Sequence, residues 1–326
     1  MSLPLSLPLD GGGSGWGCSS YANRMTAVVE LVAAVKRYGD VEALRGVDLA
    51  IPPGQVVAIL GPNGAGKTTA ISLMLGLRRP TAGTARLFGL DPSDRRARSR
   101  CGVMLQESGV TDALTLREVV DLFRAYYPHP MPTARALEMA GLLDQAERQV
   151  VKLSGGQRQR LYYALAVCGD PEVIFLDEPT VGMDVESRRA FLDSIREFFR
   201  EGRTIVLTTH YLEEADQLAG RVVVIDRGLV IADAPPAQIK ARVAGKRVSF
   251  MTDRTLAQSD FTGLPVSHLE LEDGRVRLLS NQPEAVLRAL FTKGLALRDL
   301  EVVGADLEEA FLALTQRGGA SPPGGE

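Results

Sequence analysis

The nine residues GPNGAGKTT, 61–69, follow the apolar run VVAIL (56–60) without a break and run straight into the helical pattern KTTAISLMLGL. Few features constrain a chain of 326 residues more than this handover from strand to glycine-rich turn to helix. A buried strand that feeds a helix belongs to a parallel sheet with crossover helices, and ligands then sit at the carboxyl ends of the strands. In that context the pattern G-x-x-x-x-G-K-[ST] is a phosphate-binding loop. Gly61, Gly64 and Gly66 let the backbone approach and turn its N–H groups toward a β-phosphate, with Pro62, Asn63 and Ala65 completing the loop. Lys67 supplies a point charge to the β and γ oxygens, and Thr68, followed by Thr69, offers a hydroxyl to Mg²⁺.

Two further apolar runs, VIFLD (173–177) and TIVLTT (204–209), have strand length, with the amphipathic segment ESRRAFLDSIREFFR (186–200) between them. The fold class is therefore α/β with a parallel-sheet core. Residues 105 to 165 differ: TLREVVDLFRAYY, TARALEMAGLL and the stretch after LSGGQ read as helices, interrupted by the Pro-rich YYPHPMP, and suggest a helical insert between strands. APPAQ (234–238) marks a boundary, which places one domain over 25–235. Beyond it RVSFM, VSHLELE and RVRLLS alternate like strands around an EDG turn, and QPEAVLRALFTKG and DLEEAFLALTQR read as helices flanking a strand near LEVVG. That pattern is a small α+β domain over 240–316. The Gly/Ser/Pro-rich ends, 1–24 and 317–326, read as a flexible tail at each terminus.

Composition narrows the function classes. A net charge of -3 offers no global basic field, so no nucleic-acid partner is expected, and RRARSR (95–100) reads as a solvated face. No apolar run approaches the ~20 residues of a membrane-spanning helix. The first residues, MSLPLSLPLDGGGSG, lack the positive stretch of a signal peptide. Cys18, Cys101 and Cys168 form neither a disulfide framework nor a metal motif, and Cys168 reads as a small core residue. A cytoplasmic protein is expected.

A second anion-ready site stands far downstream. In LSGGQRQRLYYALA (153–166), Ser154, Gly155, Gly156 and Gln157 open a helix and expose N–H groups at its positive end. A capped helix with Leu161, Leu165 and Cys168 packing inward is the plainer reading, and the two are compatible. VIFLDEP supplies the carboxylates: Asp177 at a strand end is placed to hold Mg²⁺ as a Walker-B residue, and Glu178, pointing elsewhere, could polarise an attacking water. Gln106 could contact the metal or water, His210 could reach a γ-phosphate, and Tyr38 could stack on a base, although each alone also suits an ordinary structural role.

Their order is more specific than any one of them. Tyr38, the phosphate loop, Gln106, LSGGQ, VIFLDEP, VGMD and TTH succeed one another as in ATP-binding-cassette (ABC) ATPases, and over residues 27–235 the chain resembles that family. The resemblance implies a P-loop cassette with a parallel-sheet core, an antiparallel β subdomain and a helical insert, binding ATP and Mg²⁺. It assigns Tyr38 to adenine stacking, Gln106 to the Q-loop and Ser154–Gln157 to the signature. Glu178 becomes the catalytic carboxylate, Asp184 the D-loop aspartate and His210 the switch histidine. Thr68, Gln106 and Asp177 would serve the metal. Met183 stands where leucine is commoner, a departure that touches no catalytic group.

The resemblance also explains two phosphate-ready helix starts in one chain. In the family two cassettes face head to tail, and each signature caps the γ-phosphate held on the partner's loop. A second cassette, most simply another copy, and an integral-membrane permease on a separate chain are the implied partners, with the protein peripheral on the inner face of the membrane. GDPEVIFLDEPTVGMDVESRR, TTHYLEEADQLAGRVVVIDRG and the ending ADLEEAFLALT are similar to ATP-binding subunits of ABC-2-type exporters. The alternatives are a soluble ABC ATPase acting on a ribosomal or nucleic-acid partner, or a binding module without turnover. A single phosphate loop and the absence of sustained heptads between Lys67 and Ser154 argue against the first. The presence of Glu178 and His210 argues against the second.

Overall fold

A computed structural model describes residues 27–105, 109–242, 245–254, 256–272, 274–304 and 306–317. Gln106, Cys18, the N-terminal tail and residues 318–326 of the C-terminal one lie outside the described residues, and Arg317, read as the first residue of that tail, ends a helix. Two sheets make the first unit. A six-stranded sheet has the order β5 (Cys101–Met104), β6 (Val173–Asp177), β7 (Thr204–Thr208), β3 (Val56–Leu60), β8 (Arg221–Asp226), β9 (Leu229–Ala234). Neighbours are parallel except the last pair, a hairpin. A three-stranded antiparallel sheet sets β1 (Val29–Tyr38) between β2 (Val41–Ile51) and β4 (Ala82–Leu87).

The central strand β3 is buried along its whole length because both its faces are covered. Val57 and Ile59 point into a cluster with Ala70, Ile71 and Met74 of α1 (Lys67–Met74) and with Leu31, Leu44 and Leu49 of the antiparallel sheet. Val56, Ala58 and Leu60 join the opposite cluster, which extends into the helical region. There α3 (Leu116–Arg124), α4 (Thr133–Met139) and α5 (Gly155–Val167) contribute residues such as Val119, Leu137 and Leu161. A short helix, α2 (Arg95–Arg98), precedes β5 and buries only Ala97, leaving its arginines outside. Within the helical region the Met131 N–H donates to the carbonyl of Cys168, the C-cap of α5, at 3.0 Å, and the region is pinned to the sheet by the Tyr127 hydroxyl, which donates to the Cys101 carbonyl of β5 at 3.3 Å. Cys101 and Cys168 are both buried thiols, pushed up to about 12 by burial.

A long helix, α6 (Val185–Arg200), and a short one, α7 (Leu212–Leu218), follow β6 and β7. Tyr163 of α5 meets Phe191 of α6 edge to face, with ring centroids 5.2 Å apart. The segment APPAQ does not end the packing: Pro236 opens α8 (Pro236–Arg242), whose Ile239 is fully buried in the cassette cluster. Proline at a first helical turn loses no hydrogen bond, so the same residue that reads as a break starts a helix.

The second unit is a four-stranded antiparallel sheet, β11 (His268–Glu272), β12 (Arg275–Ser280), β10 (Lys246–Thr252), β13 (Leu297–Gly304). Val248, Phe250, Val276 and Leu278 pack with Val286 and Leu290 of α9 (Pro283–Thr292). The last helix, α10 (Leu307–Arg317), leaves this sheet. Its Leu307 and Ala310 are buried in the first unit's cluster, against α7 and α8. A boundary at 240 thus separates α10 from its packing partners.

Phe191→Ala deletes a fully buried ring between α5 and α6 and is expected to cost about 3–5 kcal/mol, measured by urea unfolding. A loss under about 1 kcal/mol would mean that these helices close over the gap and are not rigidly packed.

Candidate nucleotide site

The site grows from strand register. Thr208 ends β7 and lies opposite Asp177 on one side and Ile59 on the other. The ends of β6, β7 and β3 are therefore side by side, and the loops that follow them carry Glu178, His210 and the glycine-rich turn.

That turn is wedged between two neighbouring segments. A Cβ on Gly61 would stand 2.2 Å from the Ile225 carbonyl oxygen of β8. Gly66 adopts φ +109, a conformation L side chains avoid, and a Cβ there would meet the Ala43 carbonyl oxygen of β2 at 2.5 Å. The Gly228 N–H donates to the Ala65 carbonyl at 2.9 Å and fixes the turn from a third side. Pro62, Asn63, Gly64 and Thr68 are exposed, Thr69 is half-buried, and Ala65 and Lys67 are buried. The Lys67 ammonium folds over the turn, donating to the Gly61 carbonyl at 2.6 Å and the Pro62 carbonyl at 3.1 Å. Burial holds its pKa below the usual lysine value, opposed by the charges of Glu178 and Asp177.

Asp177 is buried, and the Thr208 hydroxyl donates to its Oδ1. Burial pushes its carboxyl above the ordinary range; the Thr208 hydrogen bond opposes this, and the Glu178 charge adds to it. The next residue breaks from the strand: Glu178 takes φ +51, a left-handed conformation that a non-glycine residue holds only when its surroundings over-determine it. Its N–H is shared between the Thr208 carbonyl and hydroxyl oxygens, both at 3.1 Å. The kink turns two successive carboxylates in different directions. Glu178 Oε1 lies 2.6 Å from His210 Nε2. Thr208 is the residue that sequence reasoning missed. Its signal was a hydroxyl at the end of an otherwise apolar buried run.

Tyr38 ends β1 opposite Val41 at the hairpin whose second strand carries Ala43, the residue packed on Gly66. The residue is 43% exposed, and Lys36 Nζ sits 5.2 Å from the ring centre. A face left open at the rim of the turn can accept a planar base.

Ser154 caps α5 in a reciprocal box. Its Oγ accepts the Gln157 N–H at 3.3 Å, and Gln157 Oε1 accepts the Ser154 N–H at 3.0 Å. Gln157 Nε2 is also held by Gln145 Oε1 at 3.0 Å, so that side chain is a structural brace. No acidic residue occupies the first turn, and the positive end of α5 is uncompensated there. The Gly156 position abuts Met183, and Asp184 caps α6 by accepting the Ser187 N–H at 2.8 Å, which holds its carboxyl below the ordinary value. The structure brings together Lys67, Asp177, Glu178 and His210 in one group, and Ser154, Gly155, Gly156 and the Met183–Asp184 segment in another.

The donor set suits a magnesium ion. Thr68 offers an exposed hydroxyl directly after Lys67, and Asp177 is a carboxylate whose charge burial disfavours, so a cation beside it would relieve that penalty.

The sequence pattern of the ABC transporter family matches residues 44–181. A daunorubicin resistance ATP-binding protein of Streptomyces coeruleorubidus is 39% identical over 300 residues, covering 86% of this chain and 94% of that protein. A Nod factor export ATP-binding protein I of Burkholderia orbicola is 37% identical over 290 residues, covering 86% and 95%. Among solved structures, a dimeric post-hydrolysis ATP-binding cassette bound to ADP and Pi is 27% identical with a TM-score of 0.58, covering 64% of this chain and 98% of that one.

The raised Asp177 pKa has a definite sign in stability. The folded chain binds this proton more tightly than the unfolded chain, so stability falls as pH rises from 3.8 through the folded pKa, and the full penalty persists above it. Asp177→Asn is expected to raise the unfolding midpoint of nucleotide-free protein at neutral pH, with the gain shrinking as pH falls toward the ordinary carboxylate range. A midpoint lowered at neutral pH would mean that attraction to Lys67 outweighs desolvation.

Proposed function

The chain belongs to the ABC transporter family, among its ATP-binding subunits, and from that membership we propose that it acts as half of a nucleotide-sandwiched dimer powering export through a separate membrane permease. It is an ATPase. The observation that carries the dimer is the placement of two phosphate-ready helix starts on opposite faces of one sheet. Helix α1, behind Lys67, lies in the cluster of Val57 and Ile59, whereas α5, behind Ser154, lies in the opposite cluster with Val56, Ala58 and Leu60. Two such starts complete two shared sites when a second cassette meets the first head to tail.

Within one site the roles follow from the chemistry of each group. Lys67 exchanges its two carbonyl acceptors for β- and γ-phosphate oxygens, trading neutral partners for charged ones. Tyr38 stacks on adenine. Thr68 and Asp177, with Gln106, would hold Mg²⁺, which when bound neutralises the phosphate charge that builds up as the γ-phosphoryl group leaves. Glu178 orients and polarises the attacking water, and His210, hydrogen-bonded to it, keeps that carboxylate aimed at the γ-phosphate. Ser154 and the Gly155 and Gly156 N–H groups receive the γ-phosphate of the partner's nucleotide, with Asp184 at the seam between the two cassettes. ATP favours the closed dimer because its γ-phosphate touches both halves, and hydrolysis removes that contact.

Export is the reading favoured by the relatives, named for drug resistance and for Nod factor export, which match nearly the whole chain. No helix among the described residues is long and apolar enough to cross a membrane, so the proposed path lies in another polypeptide and this subunit sits on the inner face of the cell membrane. Glu178→Gln, which keeps the shape but not the charge, is expected to slow hydrolysis by about 10²–10⁴-fold and to accumulate as an ATP-bound dimer. Captured from native membranes in mild detergent, the same variant is expected to bring a stoichiometric multi-span protein. A monomer at saturating Mg²⁺-ATP, alone and with its membrane partner, would refute the shared site. Recovery of only ribosomal or other soluble partners would refute export.

A further inference from the structure

Among the described residues the most deeply buried carboxylate lies outside every nucleotide motif. Glu214, in α7, is 3% exposed. Its Oε1 accepts the Thr180 hydroxyl at 2.7 Å, and its Oε2 accepts the Thr209 hydroxyl at 2.7 Å. Thr180 is the second residue after Glu178, and Thr209 immediately precedes His210. The Thr209 hydroxyl oxygen also accepts the Tyr211 N–H at 3.0 Å, which fixes the far side of the histidine.

A cation extends the contact to a third loop. Arg188 of α6 places Nε 3.7 Å from Glu214 Oε1, and that buried nitrogen has no hydrogen-bond partner among the described residues. The same guanidinium donates weakly to the Met183 carbonyl at 3.5 Å and stacks on the Tyr211 ring with 3.9 Å between its central carbon and the ring centre. Glu214 is therefore the common partner of the segments that follow Glu178, flank His210 and lead into Asp184.

We propose that Glu214 is a positioning residue for ATP hydrolysis: by holding Thr180 and Thr209 at once, and Arg188 behind them, it sets the distance between Glu178 and His210 and ties that pair to the Met183–Asp184 segment. The inference rests on Glu178 and His210 being the reacting pair. Its physical basis is stiffness. A buried carboxylate bound by two hydroxyls makes short charge-assisted hydrogen bonds, and neither hydroxyl can turn away without leaving a buried polar group unpaired. The loops that carry Glu178 and His210 descend from neighbouring strands, and besides the direct contact of that pair the Thr208 contacts and this carboxylate tie one loop to the other. Because Glu214 is closed off from solvent, it acts through those partners.

The test is steady-state hydrolysis by the full chain carrying Glu214→Ala, Glu214→Gln or Thr209→Val, with Glu178→Gln in parallel. Misplacing a reacting pair lowers turnover while leaving substrate binding intact, so Glu214→Ala is expected to lower kcat by roughly 10–100-fold with KM for ATP held within about twofold. Glutamine can still accept one threonine hydroxyl through its oxygen and donate to the other through its nitrogen, so Glu214→Gln is expected to recover most of that loss. Thr209→Val, which removes one bond at constant shape, should fall between them. Should Glu214→Ala fail to fold, the order of the other two variants at wild-type unfolding midpoints decides the matter. Wild-type kcat in Glu214→Ala, or in Thr209→Val when only the milder pair folds, overturns the proposal. So does a parallel change of KM and kcat that follows the loss of unfolding midpoint. If Glu178→Gln itself hydrolyses ATP at the wild-type rate, the reading of the reacting pair fails first; if it is inactive while Glu214→Ala is not, only the present inference falls.

Discussion

The site depends on the parallel register of three adjacent strand ends. Pairing of β6 with β7 and of β7 with β3 sets Thr208 between Asp177 and the start of the glycine-rich turn. From that position one hydroxyl group donates to the Asp177 carboxylate and accepts the Glu178 N–H. The left-handed kink at Glu178 is held by this contact, and the kink separates a carboxylate suited to a metal from one suited to a water. Burial raises the pKa of Asp177 and lowers that of Lys67, so both charges are held at an electrostatic disadvantage that a polyphosphate and a cation bound there would remove.

What was legible in the sequence was what chemistry imposes locally. The glycines at 61, 64 and 66, Lys67 and the strand-end carboxylates follow from the needs of a phosphate and stand at short fixed spacings, as does the helix start at Ser154. Buried strands were legible from unbroken apolar runs, and α6 from its amphipathic period. Thr208 and Glu214 were not, because their roles come from partners 31 and 34 positions away that only register and packing supply. In sequence Glu214 is one polar residue of a charged helical turn. Pro236 read as a break although it begins α8, because proline terminates one element and initiates another with equal ease. For α10 the apolar period was visible, but its choice between two units was not. Gln106 lies outside the described residues.

The two units of the chain are joined more closely than their sequence patterns suggest. The second sheet packs its own cluster against α9, and α10 then returns to lie on α7 and α8. Helix α7 begins two residues after His210 and carries Glu214. The final helix therefore rests against the element that positions the histidine, a direct route by which the C-terminal unit can bear on the nucleotide site without contributing a residue to it.

The central claim is that each nucleotide is completed by residues of two chains. Mixing Lys67→Ala chains with Ser154→Arg chains tests it most directly, since a mixed dimer contains one intact pairing of Lys67 with Ser154. Each variant alone is expected to lack ATP hydrolysis, and mixtures to recover a fraction of the wild-type rate that is greatest near equal proportions. Wild-type hydrolysis by either variant alone, or no recovery at any ratio from two folded variants that associate, would contradict the account.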